Sequence, residues 1–148
     1  MSSTAFAAVL AAAAGLAGAV QIAVQGRLNE RVGSIEAAAT ASVIGAVLAI
    51  VVLLAVRRSL GGVGDAVAGP KWQLLGGAMS ILIILSITIA GPRIGVVATT
   101  AFLIAAQFAL AAVIDRYGWF GVDRVALTWP RVLGLGLLIV GAALTLRR

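Results

Sequence analysis

The chain has no cysteine, no histidine and only five acidic residues among its 148. Without Cys there is no disulfide, no thiolate nucleophile and no thiolate metal ligand. Without His the commonest general base and the commonest nitrogen ligand for a metal are missing. The acids Glu30, Glu36, Asp65, Asp115 and Asp123 are dispersed, and none stands at metal-ligand spacing from another. No nucleophile, base and metal set can be assembled, so neither an enzyme nor a cofactor is expected. Charge of both signs is scarce: 11% of the residues, where a soluble domain carries about 25%. Too little charge is present to cover a soluble surface.

What is there is apolar. Hydrophobic residues make up 62% of the chain, and the mean hydropathy is +1.15. In lipid every backbone polar group must be satisfied within the chain, which leaves helices or a closed barrel. The apolar runs are continuous and do not alternate, which selects helices. The net charge of +6 does not point to nucleic acid. The basic residues stand at the ends of apolar runs, where Lys and Arg anchor helices and meet lipid phosphates. The bilayer is the expected environment.

Five apolar runs are separated by polar punctuation. The first covers about Thr4–Gln25. It has small residues like a signal peptide but no basic leader, and it exceeds the roughly 7–15 residues of a signal core, so it is read as retained. A polar link, Gly26–Gly33, leads to a second span over about Ser34–Val56, with Ser34 as its N-cap and Arg57-Arg58 as its stop. A Gly-rich link, Ser59–Pro70, precedes a third span, about Lys71–Ala90, that opens on the anchor pair Lys71-Trp72. The turn Gly91-Pro92-Arg93 makes this span an antiparallel neighbour of the fourth, about Ile94–Asp115. Residues 116–130 hold the single Tyr and two of the three Trp, side chains that favour the headgroup level, so this segment is expected along the interface. The fifth span, about Arg131–Leu146, is short against the roughly 17–25 residues usually needed. The expected fold is an all-α integral membrane bundle of five transmembrane helices, one transmembrane domain over residues 1–148.

Basic residues orient such chains, and here they are nearly balanced. One side would carry Arg57, Arg58, Lys71, Arg116, Arg124 and Arg131, and the other Arg27, Arg31, Arg93, Arg147 and Arg148. Six against five fixes almost no orientation. The balance suits a chain that inserts both ways and pairs as an antiparallel homodimer of inverted five-helix units, imitating the inverted repeats of larger transporters. The other reading is a single orientation with a weak bias.

Three stretches carry a resemblance: GRLNERVGSIEAAATAS at 26–42, WQLLGG at 72–77 and AQFALAAVIDRYGWFGVD at 106–123. Their order and spacing resemble the YdcZ-like family of small membrane proteins in the drug/metabolite transporter superfamily. The pattern Gln-x7-Asp-x2-Gly-x2-Gly at Gln107, Asp115, Gly118 and Gly121 is its most specific part. Ala106 stands where the family suggests Gly, and Arg116 where it suggests His. The resemblance implies a five-helix unit of the inner membrane, found in relatives as dual-topology homodimers, oppositely oriented pairs or fused ten-helix chains. It implies no substrate.

Few side chains are left to carry a function. Gln107 lies near the middle of the fourth span, where an unpartnered amide is costly. It either faces a polar cavity and meets substrate or bonds to a neighbouring helix. Gln21 and Gln25 share one face of the first span, and Asn29 continues it. This stripe suits the mouth of a cavity, with ordinary interfacial solvation the simpler reading for Gln25 and Asn29. Thr40 and Ser42 complete the candidate substrate-binding set with Gln107 and Gln21. Glu36 is the one carboxylate inside a span and is the candidate for proton coupling. A first-turn acid is also stabilised by the helix dipole and within reach of Arg31. Asp115, acidic at a helix C-terminus, needs a cationic partner, with Arg116 or Arg93 as candidates. Asp115, Arg93 and Asn29 are the expected structural or gating residues. Most of the hydroxyls at Ser42, Ser80, Ser86, Thr88, Thr99 and Thr100 are expected to bond back to their own helices. Gly15, Gly18, Gly45, Gly76, Gly77, Gly134, Gly136 and Gly141 would permit close helix approach.

The expected function is a secondary transporter protomer for a small polar or weakly amphipathic metabolite or drug-like solute, with alternating access in a dual-topology homodimer. The first four spans would form the cavity and the fifth would lie peripherally. A channel built from the same dimer, or a structural membrane subunit without flux, is the alternative. Channel flux would far exceed transporter turnover, and no repeated polar ring is present to line a pore.

Overall fold

The computed structural model describes residues 3–146, so the tail arginines Arg147 and Arg148 lie outside the described residues. Helix α1 runs over Ser3–Val32, α2 over Ser34–Arg57, α3 over Gly61–Ala68, α4 over Leu75–Ile94, α5 over Val96–Tyr117 and α6 over Trp129–Leu144. Among the described residues there is no strand. Four helices are long and apolar enough to cross a membrane, at Thr4–Val32, Ser34–Arg57, Lys71–Ile94 and Val96–Tyr117, and Trp129–Leu144 is a shorter apolar helix.

The largest departures from the sequence reading are at the links. The polar link 26–33 is helical up to Val32. Leu28, Glu30 and the arginines are good helix formers, and Arg27 Nη1 pairs with Glu30 Oε2 at 3.0 Å, one turn on. The break is one residue wide. Gly33 has φ 96 and ψ 161, a region that essentially only glycine occupies. The expected turn at 91–93 is also helical, with Pro92 inside α4. The chain turns instead at Gly95, whose φ of 86 and ψ of 162 nearly repeat those of Gly33. Around both glycines the local sequence is alike, Arg31-Val32-Gly33-Ser34-Ile35 and Arg93-Ile94-Gly95-Val96-Val97. Within the Gly-rich link, residues 61–68 form α3, and just before it Ser59 Oγ accepts from the Gly61 N–H at 3.1 Å. A 3-10 turn over Lys71–Leu74 leads into α4.

The other ends follow the sequence. Arg58 closes α2 in the left-handed region, its N–H donating to Leu54 O. Gly118 closes α5, with its N–H 2.8 Å from Ile114 O. Residues 119–121 form a 3-10 turn, and α6 starts with Pro130 in its first turn, where the absent N–H costs nothing.

The chain divides into two compact units, Met1–Ile22 with Arg93–Arg148, and Ala23–Pro92. In the first, α6 packs along α5, and the buried residues include Ile22, Ala98, Thr99, Ala105 and Ala142. In the second they include Gln25, Ala37, Ala38, Ile87 and Thr88. Both interiors are built mostly from small side chains, as expected where helices associate without a hydrophobic driving force. The large apolar side chains, Leu16, Ile35, Val56 and Leu137 among them, are exposed, an arrangement that suits a lipid solvent.

Candidate functional site

Within the unit 23–92, a polar cluster forms around Pro92. Proline has no N–H, so inside α4 it leaves the carbonyl of Thr88, four residues back, without its helical donor. Asn29 on α1 replaces it, with Nδ2 donating to Thr88 O at 3.1 Å. The other end of the same amide, Oδ1, accepts from Ser34 Oγ at 2.8 Å. One side chain thus joins the last turn of α1, the first residue of α2 and the last turns of α4. Gly26 faces Pro92: a Cβ there would lie in van der Waals contact, 3.4 Å from Pro92 Cγ. Thr88 is fully buried, and its own hydroxyl donates back to Ile84 O at 2.7 Å.

Gln25 stands one turn before Asn29. It is only 4% exposed, and its Nε2 is the one buried side-chain polar atom without a partner among the described residues. Interfacial solvation therefore does not describe Gln25, because the packing of this part of α1 removes it from solvent. Nor does Ser34 act as an N-cap. Gly33 occupies that position and α2 has no side-chain cap, since the Ser34 hydroxyl is engaged by Asn29.

The remaining candidates of this unit lie along α2. Glu36 is exposed in the first turn, and its Oε2 folds back over Gly33, where a Cβ would meet it at 2.7 Å. Among the described residues it forms no ion pair with Arg31; the acid of this region that pairs is Glu30. Thr40 is exposed and Ser42 half-buried. Both hydroxyls donate to their own helix, at Glu36 O and Ala38 O. The same back-bonding holds for Ser80, Ser86, Thr88, Thr99 and Thr100, as the sequence led one to expect.

In the other unit, Gln107 sits at the centre of α5 with its side chain exposed. Among the described residues it makes no side-chain hydrogen bond. Gln21 on α1 is likewise exposed, and so is Arg93 at the end of α4. Asp115 finds its cation on α6, because the segment 118–128 returns the chain to it. Val125 N–H donates to Asp115 O at 2.9 Å, and Arg131 Nη1 lies 3.4 Å from Asp115 Oδ2. Arg131 is thus the partner, in place of Arg116 or Arg93.

Sequence reasoning missed Thr88, Pro92 and Arg131. Pro92 was readable in principle, because a proline near a helix end names the carbonyl it orphans. Nothing in the sequence marks the burial of Gln25. The candidate glycines give a different result from the one expected. A Cβ at Gly15, Gly18, Gly45, Gly76, Gly77, Gly134, Gly136 or Gly141 would meet nothing within 4 Å, so none of the eight serves a close approach inside the chain. Among the described residues no group of His, Cys, Asp and Glu could hold a metal ion. The polar equipment is made of amides and hydroxyls, which can recognise a solute by hydrogen bonding.

The chain matches the family model described as "Putative inner membrane exporter, YdcZ" over residues 6–144. No curated protein and no solved structure matches it. With nearly the whole chain matched, it belongs to the YdcZ family, and it is a multi-pass membrane protein of the transporter type.

Proposed function

We propose that the chain is the protomer of a secondary transporter that works as an antiparallel homodimer. It spans the bilayer five times and moves a small polar or weakly amphipathic solute by alternating access. Gln107 carries this reading. Its amide lies at the centre of a membrane-length helix, exposed and without a partner among the described residues, a position that lipid would penalise and a polar cavity would not. The eight glycines over open space support contact surfaces for another copy, since small residues are what helix interfaces in membranes use. The six-to-five balance of basic residues supports insertion in both orientations, which an inverted pair needs. Gln107 and Gln21, both exposed in the same unit, supply the site's hydrogen-bonding amides. The site's lack of buried charge favours a solute without strong charge.

The test is solute-dependent thermal stabilisation of the purified protein across a panel of metabolites and cations, with Gln107→Leu beside the parent. A solute that raises the parent's midpoint but not that of a folded, dimeric Gln107→Leu protein is the expected result. A variant that binds as the parent does, and loses only about 1 kcal/mol of stability, would remove Gln107 from the site.

A further inference from the structure

The seam between α5 and α6 holds two hollows that the proposed transport site does not use. One has a volume of about 200 Å³ and is lined by Phe108, Ala111, Ala112 and Asp115 from α5 and by Arg131 and Leu135 from α6. The other, about 300 Å³, lies further along the seam and is lined by apolar residues that include Ala101, Ile104 and Gly141. Asp115 at the end of α5 meets Arg131 at the start of α6, so the helices run antiparallel and the ion pair stands at one end of the seam. The rest of the lining is hydrocarbon, widened by small residues.

The ion pair is loosely made. Its 3.4 Å separation is long for a bond between charged groups, which is ordinarily about 2.7–2.9 Å. The side chains remain 37% exposed at Asp115 and 44% at Arg131. Among the described residues this is the one bond that either side chain makes. An acceptor oxygen of Asp115 and donor groups of Arg131 are therefore still open at the rim. Tyr117 and Trp119 stack beside this end, with ring centroids 5.8 Å apart, and Trp129 begins α6 with its ring exposed. Such rings place this end of the seam at the headgroup level.

The geometry points to a phospholipid site whose occupant carries a phosphoethanolamine head. Its phosphate meets Arg131, its ammonium meets Asp115, and one acyl chain lies along the seam over Ala111 and Ala112 toward Gly141. Charge complementarity selects this occupant. The rim offers one cation and one anion side by side, which matches a head with both charges and matches a purely anionic head by half. Arg131 serves either through its fork of donors, and Asp115 discriminates, because only a primary ammonium offers it N–H groups.

Thermal unfolding and lipid retention of the purified protein, with added phosphatidylethanolamine, phosphatidylcholine or phosphatidylglycerol, test the site. Phosphatidylethanolamine should be retained most and should raise the midpoint most. Methylation of the ammonium in phosphatidylcholine and its absence in phosphatidylglycerol should each reduce the effect. Asp115→Asn should lower the preference for phosphatidylethanolamine by about tenfold, the worth of one hydrogen bond to a charged group. Arg131→Gln should weaken retention of all three lipids. Ala112→Leu fills the hollow with the ion pair left in place, and it should abolish retention in a protein that still folds. Equal retention of the three lipids by the parent overturns the assignment. So does unchanged phosphatidylethanolamine retention in both Asp115→Asn and Ala112→Leu. Loss of self-association in Ala112→Leu with lipid retention intact would make the seam an interface between copies and would equally overturn it.

Discussion

Asn29 Nδ2 lies 3.1 Å from the carbonyl oxygen of Thr88, the oxygen that Pro92 has no N–H to meet. The helix defect and its repair come from different helices, so the energy of one depends on the presence of the other. In water the freed carbonyl would simply be hydrated. In a bilayer it must find a donor in the protein, and Asn29 is that donor.

This dependence can be measured. Asn29→Leu is expected to destabilise the protein by about 1–2 kcal/mol, the cost of leaving a buried acceptor unmet. Pro92→Ala returns an N–H to the helix. In that background the same Asn29→Leu change should cost about 1 kcal/mol less. Unfolding of the four proteins in detergent gives the coupling directly. Strictly additive costs would show that the contact does not respond to the proline.

The two helix breaks give a second expectation. Gly33→Ala and Gly95→Ala each place a side chain in a backbone region that costs about 1–3 kcal/mol. Gly33→Ala would also bring its Cβ to 2.7 Å from Glu36 Oε2, but that oxygen is the free end of an exposed side chain and can swing away, while Gly95→Ala meets nothing within 4 Å. Both variants should therefore destabilise by similar amounts, set by the backbone. A midpoint for Gly33→Ala well below that of Gly95→Ala, restored by an added Glu36→Ala change, would show that Glu36 is held over Gly33.

Dual insertion predicts that reporters fused to the C-terminus report comparable populations on both sides of the membrane. Two lysines added to the links of one side should bias the orientation and reduce transport, because protomers of one orientation cannot form the inverted pair. A single dominant orientation in the parent would withdraw the homodimer and leave the family membership as it stands.

Coupling through Glu36 predicts that Glu36→Gln still binds solute but loses competition between solute and protons, so a pH gradient drives no accumulation in proteoliposomes. Its exposed position in the first turn of α2, folded over Gly33, equally fits a carboxylate that serves the helix start. Transport by Glu36→Gln indistinguishable from the parent would assign it that local role.

The long apolar helices were legible because length and continuity of apolar sequence are what a bilayer selects. The back-bonded hydroxyls were legible for a similar reason, since a Ser or Thr inside an apolar helix has its own carbonyl within reach. The helix ends were less so. Arg27, Asn29, Glu30 and Arg31 look like a link by polarity, yet Arg27, Glu30 and Arg31 are good helix formers and nothing among the four breaks a helix. Polarity marks where a chain can leave lipid, while backbone dihedrals mark where it can turn, and at 26–33 the two do not coincide. The same distinction moved the second break from Gly91-Pro92-Arg93 to Gly95. The pairing of Asp115 with Arg131 rather than Arg116 depends on the path of residues 118–128, and no local pattern encodes that path. Gln25 and Asn29 are both amides of one helix, and only packing made one an orphan and the other a bridge.

Gly33 and Gly95 have a consequence in terms of handedness. Reversing both signs of their dihedrals, φ 96 with ψ 161 and φ 86 with ψ 162, gives the ordinary extended conformation of an L-residue. Each joint is therefore built as the mirror image of a strand. A D-alanine introduced by semisynthesis should sit there without backbone strain, while every L-residue is strained. Of the residues a ribosome can supply, only the achiral one fits both joints without strain, so any other residue at either position carries a stereochemical cost, whatever lipid or partner surrounds it.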